Sequence, residues 1–209
     1  MTDQPTRATP PSAWPLPIET DRLRLRPYAH GDAPRVLDIH SRLDVIRWLG
    51  DPPFTPMASL DEARAWIDDL NELAEAHPGC LGLAAEVRDT GVVAGTVMIT
   101  PCPNSDPPDL QVGWHLHPDS TGRGYATEGA RALLDVAYAH FDGSAPDRPL
   151  LDEVWCGMYP DNQPSAAIAV RLGLEDLGIL KDPWYEGDSH LFRTTRDHWA
   201  AARRGRPVR

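Results

Sequence analysis

Gly122, Arg123, Gly124, Tyr125 and Ala126 lie between a strand-like run at 109–116 and an apolar helix pattern, a placement suited to holding a diphosphate. Small residues there bring successive backbone N–H groups together at a helix start, where unpaired donors and the macrodipole attract anions. Ala126, Ala130, Leu133, Leu134 and Ala137 recur at spacings of three and four, which predicts an amphipathic helix behind the loop. Its polar face carries Glu128, Arg131 and Asp135. A second run, 151–178, reads as a buried strand, a turn with Asn162, and a short helix ended by Gly173. Pro164 suits the first turn of that helix, and Asn162 and Ser165 suit plain capping of it.

These two segments together resemble the GNAT N-acetyltransferase superfamily. Its pyrophosphate loop has Gln or Arg, two residues, Gly, one residue, then Gly or Ala, and Gly124, Tyr125 and Ala126 match the end of that pattern. The first position falls on Thr121, so the resemblance puts the phosphate contacts on backbone from Thr121 through Gly122 to Thr127, with Arg123 as the cation at hand. Asn162, Ser165, Leu172 and Gly173 resemble the following strand–helix unit, particularly in the branch that contains ribosomal-protein N-acetyltransferases.

The resemblance implies acetyl-CoA as cosubstrate and an amine as acetyl acceptor. The strands of 109–116 and 151–158 would splay apart, with the pantetheine arm between them, bonded to backbone near Leu116 and His117 and to Asn162 from the other side. Acetyl transfer needs an oxyanion donor, an acid for the leaving thiolate and a neutral amine. A strand-end N–H between Trp114 and Leu116 would supply the first, and Ser165 is the candidate acid with Tyr159 in reserve. The family's frequent glutamate falls on Gln111, which cannot take a proton. Asp109, His115 and Glu186 are then the candidate bases, His115 having the most suitable unperturbed pKa, near 6.5. Water-relayed deprotonation stays open beside them. His115 and His117 stand two apart on one strand face, but no further ligands lie near them in sequence and no metal is expected.

Elements that must position these groups follow from periodicity. Leu23 and Leu25 alternate with Arg22, Arg24 and Arg26 as in a half-buried strand, and helix signals follow at Asp32 and Pro34. Ser59 and Glu62 form a capping box that opens a helix running to His77. Residues 81–99 read as a hairpin turning at Arg88–Gly91. This order predicts an α/β (α+β) GNAT fold, a mixed central sheet with two splayed strands flanked by helices, over 18–199. Residues 1–17, rich in proline, read as an extended or disordered arm, and 200–209 as a basic tail. Acceptor selection falls to Trp48 and Asp51 in one loop and to Trp184, Tyr185 and Glu186 in another, where aromatics and carboxylates mix in a way that suits a cationic group.

Composition sets limits on partners. The chain has 209 residues, 41% hydrophobic, enough for one domain with a sizeable core. A net charge of −11, with five arginines but one aspartate in 196–209, leaves the body strongly acidic and speaks against a nucleic-acid partner. No apolar run approaches the roughly 20 residues of a membrane span, and no signal peptide is legible, so the expected location is cytoplasmic. Three scattered cysteines predict reduced thiols. The arm and tail are long enough to reach a second copy, which keeps a homodimer among the expectations. Two other classes compete: a silent acyl-CoA-binding or regulatory module, and a nucleotide-binding protein. The second lacks both a Lys-Ser/Thr after the loop and a GxGxxG fingerprint.

Overall fold

The computed structural model describes residues 14–77 and 79–204; residues 1–13 of the arm and 205–209 of the tail lie outside them. An eight-stranded sheet runs in the order β1 (Ile18–Glu19), β2 (Leu23–Arg26), β3 (Leu81–Val87), β4 (Val93–Pro101), β5 (Leu110–Leu116), β6 (Glu153–Met158), β8 (Asp188–Thr195), β7 (Glu175–Lys181). All neighbours are antiparallel except β5 and β6, which are parallel and pair only at Gln111 with Trp155. The outer strand β7 carries a register shift between Asp176 and Gly178.

One face of the sheet is covered by α4 (Tyr125–His140), α5 (Gln163–Leu172) and α6 (Arg196–Arg204), the other by α1 (Ala33–His40), α2 (Leu43–Ile46) and α3 (Leu60–Ala76). The apolar stripe expected of α4, Ala130, Leu133, Leu134 and Ala137, is fully buried against Leu23, Leu25, Val97 and Ile99. Ser59 Oγ accepts the Glu62 N–H at 3.2 Å, and Glu62 reaches back to the Ala58 N–H, one residue before the expected box partner.

Both termini of the described chain join the core. Trp14, which the sequence puts in an extended arm, is buried and meets Phe141 edge-on at 4.8 Å. The arginine-rich end forms α6, where Trp199 is buried beside Tyr138 and donates its indole N–H to Asp135. An indole with one polar atom can fill an apolar gap at the sheet margin, which proline content and net charge do not reveal. No described helix is long and apolar enough to cross a membrane.

Candidate active site

The phosphate loop is built as its glycines require. Gly122 and Gly124 have φ of +72° and +80°, in the left-handed region where a side chain is strained, and Gly124 is the N-cap of α4. The N–H groups of Gly122 through Thr127 find no partner among the described residues, and the Thr127 hydroxyl is buried without one. Thr121 contributes no donor, because both its N–H and its hydroxyl are given to the Pro118 carbonyl. Arg22 stands against the loop. It donates to the Arg123 carbonyl, pairs with Glu128, and lies 5.1 Å over the Tyr125 ring. Sequence alternation marked Arg22 only as a solvent-facing strand residue. With Arg131 and Arg171 it lines a second cavity, of about 640 Å³, behind the loop.

Beyond Gln111 and Trp155, β5 and β6 separate. His117 gives its N–H to the Ala94 carbonyl of β4. By strand alternation the peptide groups of Trp114 and Leu116 therefore point away from β4, into the gap. His117 itself offers nothing to the gap, a correction to its expected role. Its carbonyl accepts from Ser120, and its ring is held between Asp38, at 2.9 Å, and the Asp119 N–H. Across the gap, Asn162 Oδ1 caps α5 by accepting the Ser165 N–H at 3.3 Å, which leaves the amide nitrogen for other work.

A cavity of about 1410 Å³ runs from this loop through the gap to the far side of the sheet. It gathers Gly122, Gly124, Tyr125, Ala126, Thr127, Asn162 and Ser165 at one end. At the other it gathers Trp48, Asp51, Trp184, Tyr185 and Glu186, so the loops chosen from sequence do converge. Leu116 and His115 lie between; Arg123 does not line it. Tyr159 donates to the Gly50 carbonyl at 2.6 Å, and burial and Asp51 raise its pKa. Gln111 donates to the Tyr185 hydroxyl at 2.7 Å, while the Trp184 indole donates to Asp109.

His115 is not the imidazole the sequence predicts. Tyr28 must donate to the Gly95 carbonyl (3.1 Å), so it accepts from Thr96 (2.9 Å), and Thr96 in turn accepts from His115 Nε2 (2.9 Å). Each hydroxyl has one proton, which fixes the Nε2–H tautomer and leaves Nδ1 bare, buried and without a partner. Burial, with His40 beside it at 4.9 Å, pushes the His115 pKa down to about 3. Burial takes His40 to about 4. Neutral at every ordinary pH, His115 is a hydrogen-bond acceptor and a poor proton store. The three cysteines are free and buried, with burial pushing their pKa up to about 12.

The family model of the acetyltransferase (GNAT) domain matches residues 22–175. The chain belongs to the GNAT acetyltransferase family. It is an acetyltransferase of that family. Among curated proteins it is 23% identical to the uncharacterized N-acetyltransferase p20 of Bacillus licheniformis, over 79% of this chain and 85% of that one. Its fold is shared by RimJ of Mycobacterium smegmatis in complex with CoA-disulfide, at a TM-score of 0.65 and 20% identity, covering 87% of this chain and 90% of that one. It is shared also by the microcin C7 self-immunity acetyltransferase MccE in complex with acetyl-CoA and AMP. There the TM-score is 0.65 and the identity 17%, over 84% and 93% of the two chains. The matched residues thus contain the glycine loop and the gap beside it, whereas Trp184, Tyr185 and Glu186 at the cavity's far end lie beyond them.

Proposed function

We propose that this enzyme moves the acetyl group of acetyl-CoA to the amino group of a cationic acceptor, a protein N-terminus or a small-molecule amine, by direct attack. The observation that carries this reading is the polarity of the cavity. Its loop end presents unpaired N–H groups, the start of α4 and Arg171, whereas its far end is lined by the carboxylates Asp44, Asp51, Glu62, Glu186 and Asp188. Anion and cation are thus sorted to opposite ends.

Acetyl-CoA supplies an activated thioester, and the chain's own residues do the rest. Backbone from Gly122 to Thr127 and the Thr127 hydroxyl hold the diphosphate at the positive end of α4. The Leu116 and Trp114 peptides and the free Asn162 amide nitrogen hold the pantetheine arm, and one of those strand N–H groups polarises the carbonyl. Ser165, in the first turn of α5, protonates the departing sulfur, helped by the helix terminus that favours negative charge there. Trp48, Asp51, Trp184, Tyr185 and Glu186 receive the acceptor, with Glu186 as base or amine-binding group. His115, held neutral with Nδ1 buried, takes no part in the proton transfer.

The test is a thiol-release assay with acetyl-CoA across small amines, polyamines and N-terminal peptides, with calorimetric CoA binding on the same sample. Gly124→Glu is expected to abolish CoA binding, since it adds a negative, strained side chain 3.4 Å from Arg22 Nη2 where the diphosphate belongs. Ser165→Ala should spare binding and lower kcat by at least about tenfold. Equal loss of binding in both variants contradicts the division of roles, and wild-type protein that binds no CoA overturns the reading.

A further inference from the structure

Where β5 and β6 part, the next residue on each strand that faces the acceptor side is a glycine: Gly113 follows Gln111, and Gly157 follows Trp155. Neither position carries a side chain of its own, and Met98 and Leu191 on the flanking strands lean over them, 3.2 and 3.3 Å from where each Cβ would stand. Asp182, at the end of β7, stands beside Gly157. Its Oδ2 lies 3.8 Å from the place a Cβ on Gly157 would take. The residue is 7% exposed and lines the main cavity.

The two oxygens of Asp182 are used differently. Oδ1 accepts the N–H groups of Trp184 at 2.8 Å and Tyr185 at 3.0 Å, which shapes the loop carrying both acceptor-side aromatics. Oδ2 receives no hydrogen bond, and no ion pair reaches Asp182, among the described residues. Burying a carboxylate without a counter-charge is costly, so a built site of this kind fits a cation that arrives with the substrate. The groups around it, Trp155, Trp184, Leu191 and Cys102, are largely apolar and strengthen any charge pairing made there.

We infer that Asp182 receives the acceptor's amino group, as an ammonium bonded to Oδ2 beside Gly157, and so sets the point from which, once a proton has passed to the base, the neutral nitrogen reaches the acetyl group. This rests on the acetyl-transfer reading above. It leaves Glu186 the role of base, taking the ammonium's proton before attack, and makes the other rim carboxylates a collecting field. It also explains why Asp182, and not a larger residue, caps this loop: Oδ1 satisfies two backbone donors while Oδ2 faces Gly157.

Asp182→Asn separates the two jobs, because the amide oxygen still accepts both N–H groups while the charge is gone. Steady-state kinetics should show the acceptor kcat/KM falling at least about tenfold, mainly through KM, the range expected for losing a charge-assisted bond. Calorimetric Kd for CoA should stay within about twofold. Should Asp182→Asn melt early, Asp182→Ser carries the same test, since a hydroxyl oxygen can still accept the backbone N–H groups while the charge is gone. An active wild type with acceptor KM unchanged in Asp182→Asn, or in a folded Asp182→Ser, overturns the assignment and leaves Asp182 a loop-shaping residue. A wild type inactive on every amine overturns the acetyl-transfer reading beneath it.

Discussion

Gly95→Ala puts the geometry of the gap to a quantitative test. A Cβ on Gly95 would stand 2.1 Å from the His115 carbonyl oxygen and 2.6 Å from the Leu116 Cα, both backbone atoms of the paired strand β5. Restoring the 3.4 Å of ordinary contact pushes the strands about 1.3 Å apart at that point. Overpacking of this kind costs about 2 kcal/mol, and one lost ladder hydrogen bond about 1 kcal/mol more. At about 2–4 °C per kcal/mol for a domain of this size, the melting temperature should fall by roughly 6–12 °C. The same shift moves the Leu116 peptide, one of the two that face the gap. Misplacement of about 1 Å at a reacting centre costs on the order of a hundredfold in rate, so kcat/KM for acetyl-CoA should drop by about that much. Circular dichroism melts and thiol release measure the two effects. Gly31→Ala is the control, since its Cβ meets nothing within 4 Å, and it should leave both quantities unchanged. Gly95→Ala with wild-type melting and turnover would refute the close approach of β4 and β5 as described.

Stability should depend on pH through the two buried imidazoles. Their unfolded-state pKa is near 6.5, but burial holds them neutral down to about 4 in His40 and about 3 in His115, so unfolding takes up protons below pH 6.5. Stability is therefore full above pH 6.5 and falls as pH drops, by about 1.4 kcal/mol per pH unit for each imidazole. Denaturant titrations from pH 7 to 5 should show this slope, roughly halved in His115→Gln; a flat wild-type profile contradicts it. Trp14→Ala removes a buried indole from the Phe141 contact and should cost about 3–5 kcal/mol. Melting unchanged by that substitution would mean that the segment does not pack as placed.

Local signals carried the fold far. Left-handed glycines at a helix start, a Ser–Glu cap, and a short hairpin turn are written in neighbouring residues, and β3, β4, α3 and α4 follow them closely. The candidate site's local geometry was legible wherever one segment supplies it, as in the left-handed glycines of Gly122 to Gly124 and the Asn162 cap over Ser165. It was not legible where partners come from afar. The tautomer and lowered pKa of His115 depend on Thr96, Tyr28 and His40, from three other elements. Arg22 meets the phosphate loop from a strand about a hundred residues earlier. Asp182 sits in a loop that sequence reading credited to its aromatics and Glu186, because only the register of β5 against β6 reveals the two facing glycines. The docking of Trp14 and Trp199 is likewise a tertiary event, invisible to composition.

A sheet exposes unpaired backbone at its borders, and open borders invite other chains to add strands. This sheet also opens from within, between β5 and β6. Its outer borders are blunt: β1 is two residues long, and β7 is broken by a register shift and ends at Lys181. The inner opening runs along β5 past Gln111 and along β6 past Trp155, with α4 and α5 behind it. A foreign strand, with side chains on both faces, cannot thread that slot. The backbone groups that would seed aggregation on a rim are thus sheltered here from other strands.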